Sequence, residues 1–212
     1  MVKLRSFLLV HGAARLWGAA VLVWFLAVLV GLGILGKYGS TPGTAAAAPS
    51  DWPVASRIPR TANRASLVIF GHPHCPCTRA TVSELARLMS GIGDKVTARV
   101  LFVKPKGAAP DWDNTDLRAR TASIPGVQVA TDEGGQEAKL FGATVSGQTL
   151  LYDSDGRLIF RGGITASRGH EGDNAGSDSI SSFLLHGVIQ HRSTNVYGCV
   201  LDDSSPSMAN MK

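Results

Sequence analysis

No charged side chain occurs between Leu16 and Gly36, and Trp17, Val21, Trp24, Phe25, Leu29 and Ile34 leave that stretch apolar on all sides. At about 1.5 Å per residue, a helix of this length spans the roughly 30 Å hydrocarbon core of a bilayer. The pattern then changes. Gly39 to Pro59 is rich in Gly, Ala, Ser, Thr and Pro and has no apolar period, the composition of a flexible tether. Folded structure is expected to begin near Arg60 to Ser66. Leu67-Val68-Ile69-Phe70 is a short continuous apolar run, suited to a buried central strand. Beyond Cys77, Val82, Leu85, Leu88 and Met89 recur at helical spacing until Gly91 and Gly93 stop the helix. Val96 to Val103 reads as a second strand, and a right-handed crossover makes it parallel to the first.

Further along, Thr115 to Ser123 predicts a short helix that ends before Pro125, Val127 to Ala130 a third strand, and Glu133 to Phe141 another short helix. Thr149 to Tyr152 and Leu158 to Arg161 flank Asp153-Ser154-Asp155-Gly156, a strong hairpin signal. That turn is too short for an EF-hand loop and lacks its later Glu, so it reads as a plain turn and not a calcium site. A glycine-rich loop covers Gly162 to Gly176. Ser177 is then the expected N-cap of a closing helix that presents Ile180, Phe183, Leu184 and Val188 on one face. The tail from Asp202 to Lys212 is polar and expected to be disordered.

Charge sharpens this division. The net charge is +5, but Lys3, Arg5, Arg15 and Lys37 precede every acidic residue, so the remaining 17 basic residues face 16 acidic ones. The body is nearly neutral and carries no long Lys/Arg run, which argues against nucleic acid or any acidic polymer as partner. Three basic residues before the apolar stretch and one after it orient the N-terminus to the cytoplasm and the body outside. The resulting map is a cytoplasmic N-terminus (1–15), a transmembrane anchor (16–36), a flexible linker (37–62), a folded domain (63–195) and a C-terminal tail (196–212). A cleavable signal peptide is the alternative, since Ala45 to Ala48 offers small residues to a peptidase.

The candidate chemistry sits in Gly71-His72-Pro73-His74-Cys75-Pro76-Cys77-Thr78, which follows the first strand and opens the first helix of the body. Sulfur at a helix start meets outward-pointing N–H groups and a dipole that favours thiolate. Cys75, nearer the loop, is the candidate nucleophile, Cys77 the resolving thiol, and His74 a group that tunes the thiolate. A Cys75–Cys77 disulfide closes a ring too small for relaxed geometry and is therefore expected to be oxidising. The same donor types also suit Cu(I) or Zn(II), with His72, His74, Cys75, Cys77 and His170 as the candidate ligands, although His-x-His-Cys-x-Cys is too compact for one ion to take all four side chains readily. Arg168 and His170 belong to a loop able to fold over the turn. Cys199, the odd cysteine, can pair with another protein, pair with the turn, or stay free. His186 and His191 fall at ordinary positions on or after the last helix.

The order strand, cysteine turn, helix, strand, hairpin and final helix resembles the thioredoxin-like fold, particularly the membrane-tethered TlpA and ResA type of extracytoplasmic thioredoxin. The Phe-Gly-x-Pro-x-Cys-Pro-Cys-Thr turn, the Ser-Gly before the hairpin, and the Gly-Gly-Ile-Thr with Arg-Gly-His after it are similar to the RedB-like proteins. The resemblance covers roughly Ser66 to His191. It implies an α/β fold with a mixed central sheet flanked by helices, placed after the N-terminal transmembrane helix. It departs from the thioredoxin pattern at two positions. His74 falls where the family has its first cysteine, and Gly147, preceded by Ser146, falls where the family has a cis-proline that shapes the substrate groove and keeps metals off the cysteines.

Three functions follow as expectations. The first is a membrane-anchored extracytoplasmic thiol–disulfide oxidoreductase that needs no cofactor and acts on protein thiols or disulfides of a redox or metalloenzyme assembly pathway, with Ser146, Gly147, Arg168 and His170 bordering its substrate. The second is a copper- or zinc-binding accessory protein for redox-enzyme assembly, and the third an interaction domain without turnover. No phosphate-binding glycine loop, nucleophile elbow or paired-carboxylate motif stands beside these.

Overall fold

The structure is a computed structural model and describes residues 2–61 and 63–201, with side chains from Leu16 onward. It divides into two units, Met1–Ser40 and Thr41–Lys212. The first is a single helix, α1 (Val2–Ser40). Within it Leu16–Ser40 is long and apolar enough to cross a membrane, a property that an anchor and a signal sequence share.

The second unit is built on one sheet. In chain order its elements are β1 (Ala65–Gly71), α2 (Pro76–Ile92), β2 (Val96–Lys104), α3 (Asp116–Ala122), β3 (Val127–Glu133), α4 (Gln136–Leu140), β4 (Gln148–Tyr152), β5 (Leu158–Gly162) and α5 (Ala175–His186). The strands lie in the order β3-β2-β1-β4-β5. β1, β2 and β3 are mutually parallel, whereas β4 runs antiparallel to β1 and forms a hairpin with β5. A parallel β-α-β unit joined through its first strand to an antiparallel hairpin, followed by a closing helix, is the thioredoxin-like arrangement, a mixed sheet flanked by helices. β1 occupies the centre. Leu67, Val68, Ile69 and Phe70 are all buried because both of their faces are covered.

Strand alternation sends Leu67 and Ile69 to one core and Val68 and Phe70 to the other. The first core packs Val82, Leu85, Leu88 and Met89 of α2 with Leu117 of α3 and Ile180 of α5. The opposite face has only the short α4 from the helices, which supplies Ala138, with Phe141 just after it. The uncovered remainder is filled from an unexpected source. Residues 41–61, expected as a free tether, lie against the domain. Trp52 sits edge-on to Phe141 and Tyr152 at 5.0 and 5.2 Å between ring centroids, and Ile58 and Ala48 pack onto the same core. The Tyr152 hydroxyl donates to Pro49 O (3.2 Å), Trp52 N–H to Gly156 O (2.7 Å) and Arg57 N–H to Glu137 Oε1 (2.9 Å). The physical reason is the apolar face itself, since aromatic pairs of this geometry add about 0.5–1.5 kcal/mol each beyond area burial.

Two smaller expectations are corrected. The N-cap of α5 is Asn174, whose side chain accepts from Ser177 N–H, so the helix starts nearly a turn earlier than Ser177. Val188 lies beyond the helix, which closes on Gly187 in the left-handed conformation, and is exposed. The 153–156 turn is plain: Asp153 Oδ1 accepts from the Asp155 and Arg157 N–H groups. At the other end of the chain, Val196 and Leu201 of the expected tail are buried, while 202–212 lies outside the described residues.

Candidate functional site

The site begins where β1 ends. Cys75 N–H closes a turn onto His72 O (3.1 Å), and Cys75 then becomes the N-cap of α2 in an extended conformation, φ −89° and ψ 125°. Pro76 dictates this. A residue before proline avoids helical angles, and a proline in the first helical turn forfeits an N–H that had no intrahelical partner. The Cys75 sulfur therefore stands at the positive end of a 17-residue helix.

Ser146, just ahead of β4, ties the turn down. It is fully buried, and its Oγ accepts from His72 N–H (2.9 Å) and shares a hydrogen bond with Thr78 Oγ1 (2.5 Å). Gly147 donates its N–H to Phe70 O (2.7 Å) at φ +91°. Proline could supply neither that donor nor that angle, and a Cβ here would stand 2.8 Å from Thr81 Oγ1. The position matched to a cis-proline by resemblance is thus a glycine for a definite reason, and no cis peptide occurs among the described residues.

Sequence reasoning left Cys199 open, and the structure brings it to the turn. Residues 196–201 cross the domain as an extended strap. Gly43 N–H donates to Val196 O (2.8 Å), Arg168 Nη1 to Gly198 O (2.7 Å), Ser146 N–H to Cys199 O (2.7 Å) and Leu201 N–H to Thr144 O (2.8 Å). Val145 and Val200 form an antiparallel bridge. Gly198 lies so close to the Ser146 carbonyl that a Cβ would collide with it. These anchors bring Cys199 Sγ to 3.2 Å from Cys75 Sγ. All three cysteines are free thiols, with Cys75 5 % and Cys77 8 % exposed and Cys199 half-buried.

The cysteines, of which Cys75 and Cys199 are in contact, share their protons unequally. The Cys199 thiol and then the Cys77 thiol donate toward Cys75, and together with the Thr78 and Cys199 backbone N–H groups they outweigh burial, holding the Cys75 thiol far below its ordinary range. Cys199 is pushed far up because it is the donor to Cys75, then to Cys77, and because it is buried. Cys77 is lowered by Cys199, but its role as donor to Cys75, its burial and repulsion from Cys75 leave it raised overall, against the pull of Arg168. Of the three, Cys75 is the one whose thiol is lowered and so the one most disposed to ionise.

The histidines divide differently from the expectation. His72, 6 % exposed, accepts His74 N–H at Nδ1 (3.3 Å), so its neutral form carries the proton on Nε2, which is buried without a partner. Burial lowers its pKa, opposed by the Cys75 thiolate. His74 is exposed, and its Nε2 hydrogen-bonds to Trp112 O (2.8 Å). The Trp112 ring meets both imidazoles edge-on, at 4.7 Å from His72 and 5.0 Å from His74. Trp112 comes from the polar connection after β2 and carried no sequence signal beyond its being an aromatic residue in a loop.

Arg168 reaches the strap, where its Nη1 donates to Gly198 O. His170 does not. Gly172 N–H donates to Glu84 Oε1 (2.6 Å), drawing that half of the loop to the middle of α2 and leaving His170 exposed with its N–H on Ser167 O. The set His72, His74, Cys75, Cys77 and His170 is therefore not gathered as metal ligands. Among the described residues no group of three or more His, Cys, Asp or Glu side chains is disposed to hold a metal ion. A cleft of about 480 Å³ beside α4 and Leu201, lined by Lys106 and Lys139, contains no cysteine.

The chain has a thioredoxin-like fold with Cys75 and Cys77 at the start of the helix after the central strand. Solved structures superpose on it. An uncharacterized conserved protein from Geobacillus kaustophilus superposes with TM-score 0.57 at 19 % identity, over 77 % of this chain and 92 % of that one. A hypothetical protein from Sinorhizobium meliloti gives 0.56 at 20 % identity, over 76 % and 93 %. These likenesses speak to fold alone. A secreted Mycobacterium tuberculosis disulfide oxidoreductase homologous to E. coli DsbE overlaps more loosely, with TM-score 0.41 at 12 % identity over 58 % and 81 % of the two chains, too loosely to carry an argument. No family model matches the chain, and no curated protein matches it.

Proposed function

We propose that this protein is a membrane-anchored thiol–disulfide oxidoreductase of the tethered TlpA/ResA kind, nearest the RedB-like proteins. α1 is its anchor, and the basic residues ahead of Leu16 keep the N-terminus cytoplasmic and the domain outside. Its partners are thiols or disulfides of extracytoplasmic proteins. The observation that carries this reading is the Cys75 sulfur at the α2 N-terminus, 3.2 Å from the Cys199 sulfur and with its thiol lowered by the groups that donate to it. A thiolate at a helix start is the nucleophile of disulfide exchange, and a neighbouring thiol resolves the mixed disulfide. The Cys-Pro-Cys motif offers Cys77 for that second role, and Cys199 is the other thiol beside Cys75. His74 acts as a positioning residue, holding the Trp112 loop against His72, and His72 is the imidazole that feels the Cys75 charge.

The test uses the full chain in detergent micelles with oxidised glutathione. Cys75→Ser is expected to abolish adduct formation and exchange. Unchanged exchange in that variant would sink the reading.

A further inference from the structure

We propose that Cys199 is a third catalytic residue, the thiol that resolves the mixed disulfide on Cys75, so that the disulfide formed in turnover is Cys75–Cys199 and not Cys75–Cys77. This rests on the exchange reading above and names the pair within it.

Several observations converge. Cys199 Sγ already stands 3.2 Å from Cys75 Sγ with no disulfide between them. The approach is built and not incidental: four hydrogen bonds of 2.7–2.8 Å hold the strap on either side of Cys199, and Val196 and Leu201 are buried at its two ends. Gly198 lets the strap lie directly on the Ser146 carbonyl. By contrast, Cys75 and Cys77 flank a single proline at the helix start, and a bond between them closes a ring that strains the geometry a disulfide requires.

The step balances as follows. The Cys75 thiolate attacks one sulfur of a partner disulfide, forming a Cys75–partner bond and releasing the other partner sulfur as a thiolate, which takes up a proton. Cys199 then loses its proton and attacks the Cys75 sulfur. The Cys75–Cys199 bond forms, the partner's second sulfur leaves and is protonated, and two electrons have passed from the Cys75/Cys199 dithiol to the partner. The reverse sequence oxidises a partner dithiol. Cys75 is nearly inaccessible with Cys199 against it, so an incoming disulfide displaces the strap, and the return of the strap delivers Cys199.

Trypsin separates the possibilities, since Cys75 and Cys77 share the peptide 65–79 and Cys199 lies in 193–212. The full chain in micelles is treated with oxidised glutathione, alkylated, digested without reduction and mapped by mass. The expected product is a cross-link between the two peptides, retained in Cys77→Ser and absent in Cys75→Ser. In Cys199→Ser the glutathione adduct on Cys75 should persist about tenfold longer or more, because the positioned thiol is gone. A bond mapped inside 65–79, with the adduct resolving equally fast in Cys199→Ser, overturns the inference while leaving the exchange reading intact. Absence of any adduct or disulfide in the unmodified chain overturns both.

Discussion

The two segments that meet at the Cys75 sulfur are held in opposite ways. The turn 71–78 is fixed by its own covalent chemistry and by adjacent groups: Pro76 sets the angles of Cys75, and Cys75 N–H bonds three residues back to His72 O. The strap 196–201 belongs to no regular element, and its hydrogen bonds reach residues far away in the chain, at Gly43, Thr144, Ser146 and Arg168. The first arrangement sets the Cys75 sulfur at the helix start, and the second brings the Cys199 thiol that does most to lower the Cys75 thiol. The second is held by separate hydrogen bonds and one bridge, none of them part of the five-stranded sheet's ladders. Ser146 joins them, with its side chain on the turn and its backbone N–H on the strap.

That contrast can be broken at one side. Gly198→Ala sets a methyl group against the Ser146 carbonyl and should lift the strap, at a cost of about 1–3 kcal/mol typical of overpacking. Cys75 should then be alkylated faster by iodoacetamide while the turn is unchanged. A variant with native alkylation rate would mean that the strap does not cover Cys75. Ser146→Ala acts on the other side, removing the acceptor for His72 N–H and the partner of Thr78 while sparing the backbone bond to Cys199. A loss of about 2 kcal/mol in urea unfolding is expected, roughly one per hydrogen bond.

The electrostatic part of the contrast is read with pH. Because the Cys75 thiol lies well below its ordinary range, its alkylation should show no rise between about pH 6 and 9, where an unperturbed thiol near 8.5 would titrate. Removing the principal donor in Cys199→Ala raises the Cys75 thiol, so a rate that climbs with pH should appear. A flat profile in that variant would mean that Cys77 and the Thr78 N–H at the helix start suffice to hold the Cys75 thiol down. The smallest effect is expected for His74→Ala, which loses one exposed hydrogen bond to Trp112 O, about 1 kcal/mol or less, and should leave the pH profile of Cys75 unchanged.

Patterns that are local in sequence were legible. The apolar run at Leu67–Phe70, the α2 period, the parallel second strand and the 149–161 hairpin all appear where their spacing predicts, because period and turn chemistry are encoded by neighbours. Thr115 caps α3 as its residue type suggests. Segments that depend on tertiary contact were not legible. Trp52 and Ile58 sit singly among prolines and polar residues, and only the bare face around Phe141 and Tyr152 explains their burial. The α5 start was read one turn late because Ala175-Gly176 looks like loop and Ser177 is as good a capping residue as Asn174. Within the site, the sequence identified Cys75, Cys77 and Ser146. It singled out His74, whereas His72 is the imidazole buried against the Trp112 ring, and it could not bring Cys199 to Cys75, since a single-residue bridge such as Val145–Val200 has no periodicity to read.

The strap's position near the end of the chain has a consequence for the energetics of the unfolded polypeptide. Cys75 and Cys199 are 124 residues apart, so a bond between them would enclose every strand of the sheet except β1. In chain-entropy terms such a loop restricts the denatured ensemble by about 5 kcal/mol, whereas a Cys75–Cys77 ring restricts it by under about 2 kcal/mol. For a domain of this size the larger figure corresponds to roughly 10–20 °C in melting temperature. Oxidation that forms the long loop would therefore make the domain markedly more heat-resistant than its reduced form, so the redox state of its surroundings would set how readily it unfolds.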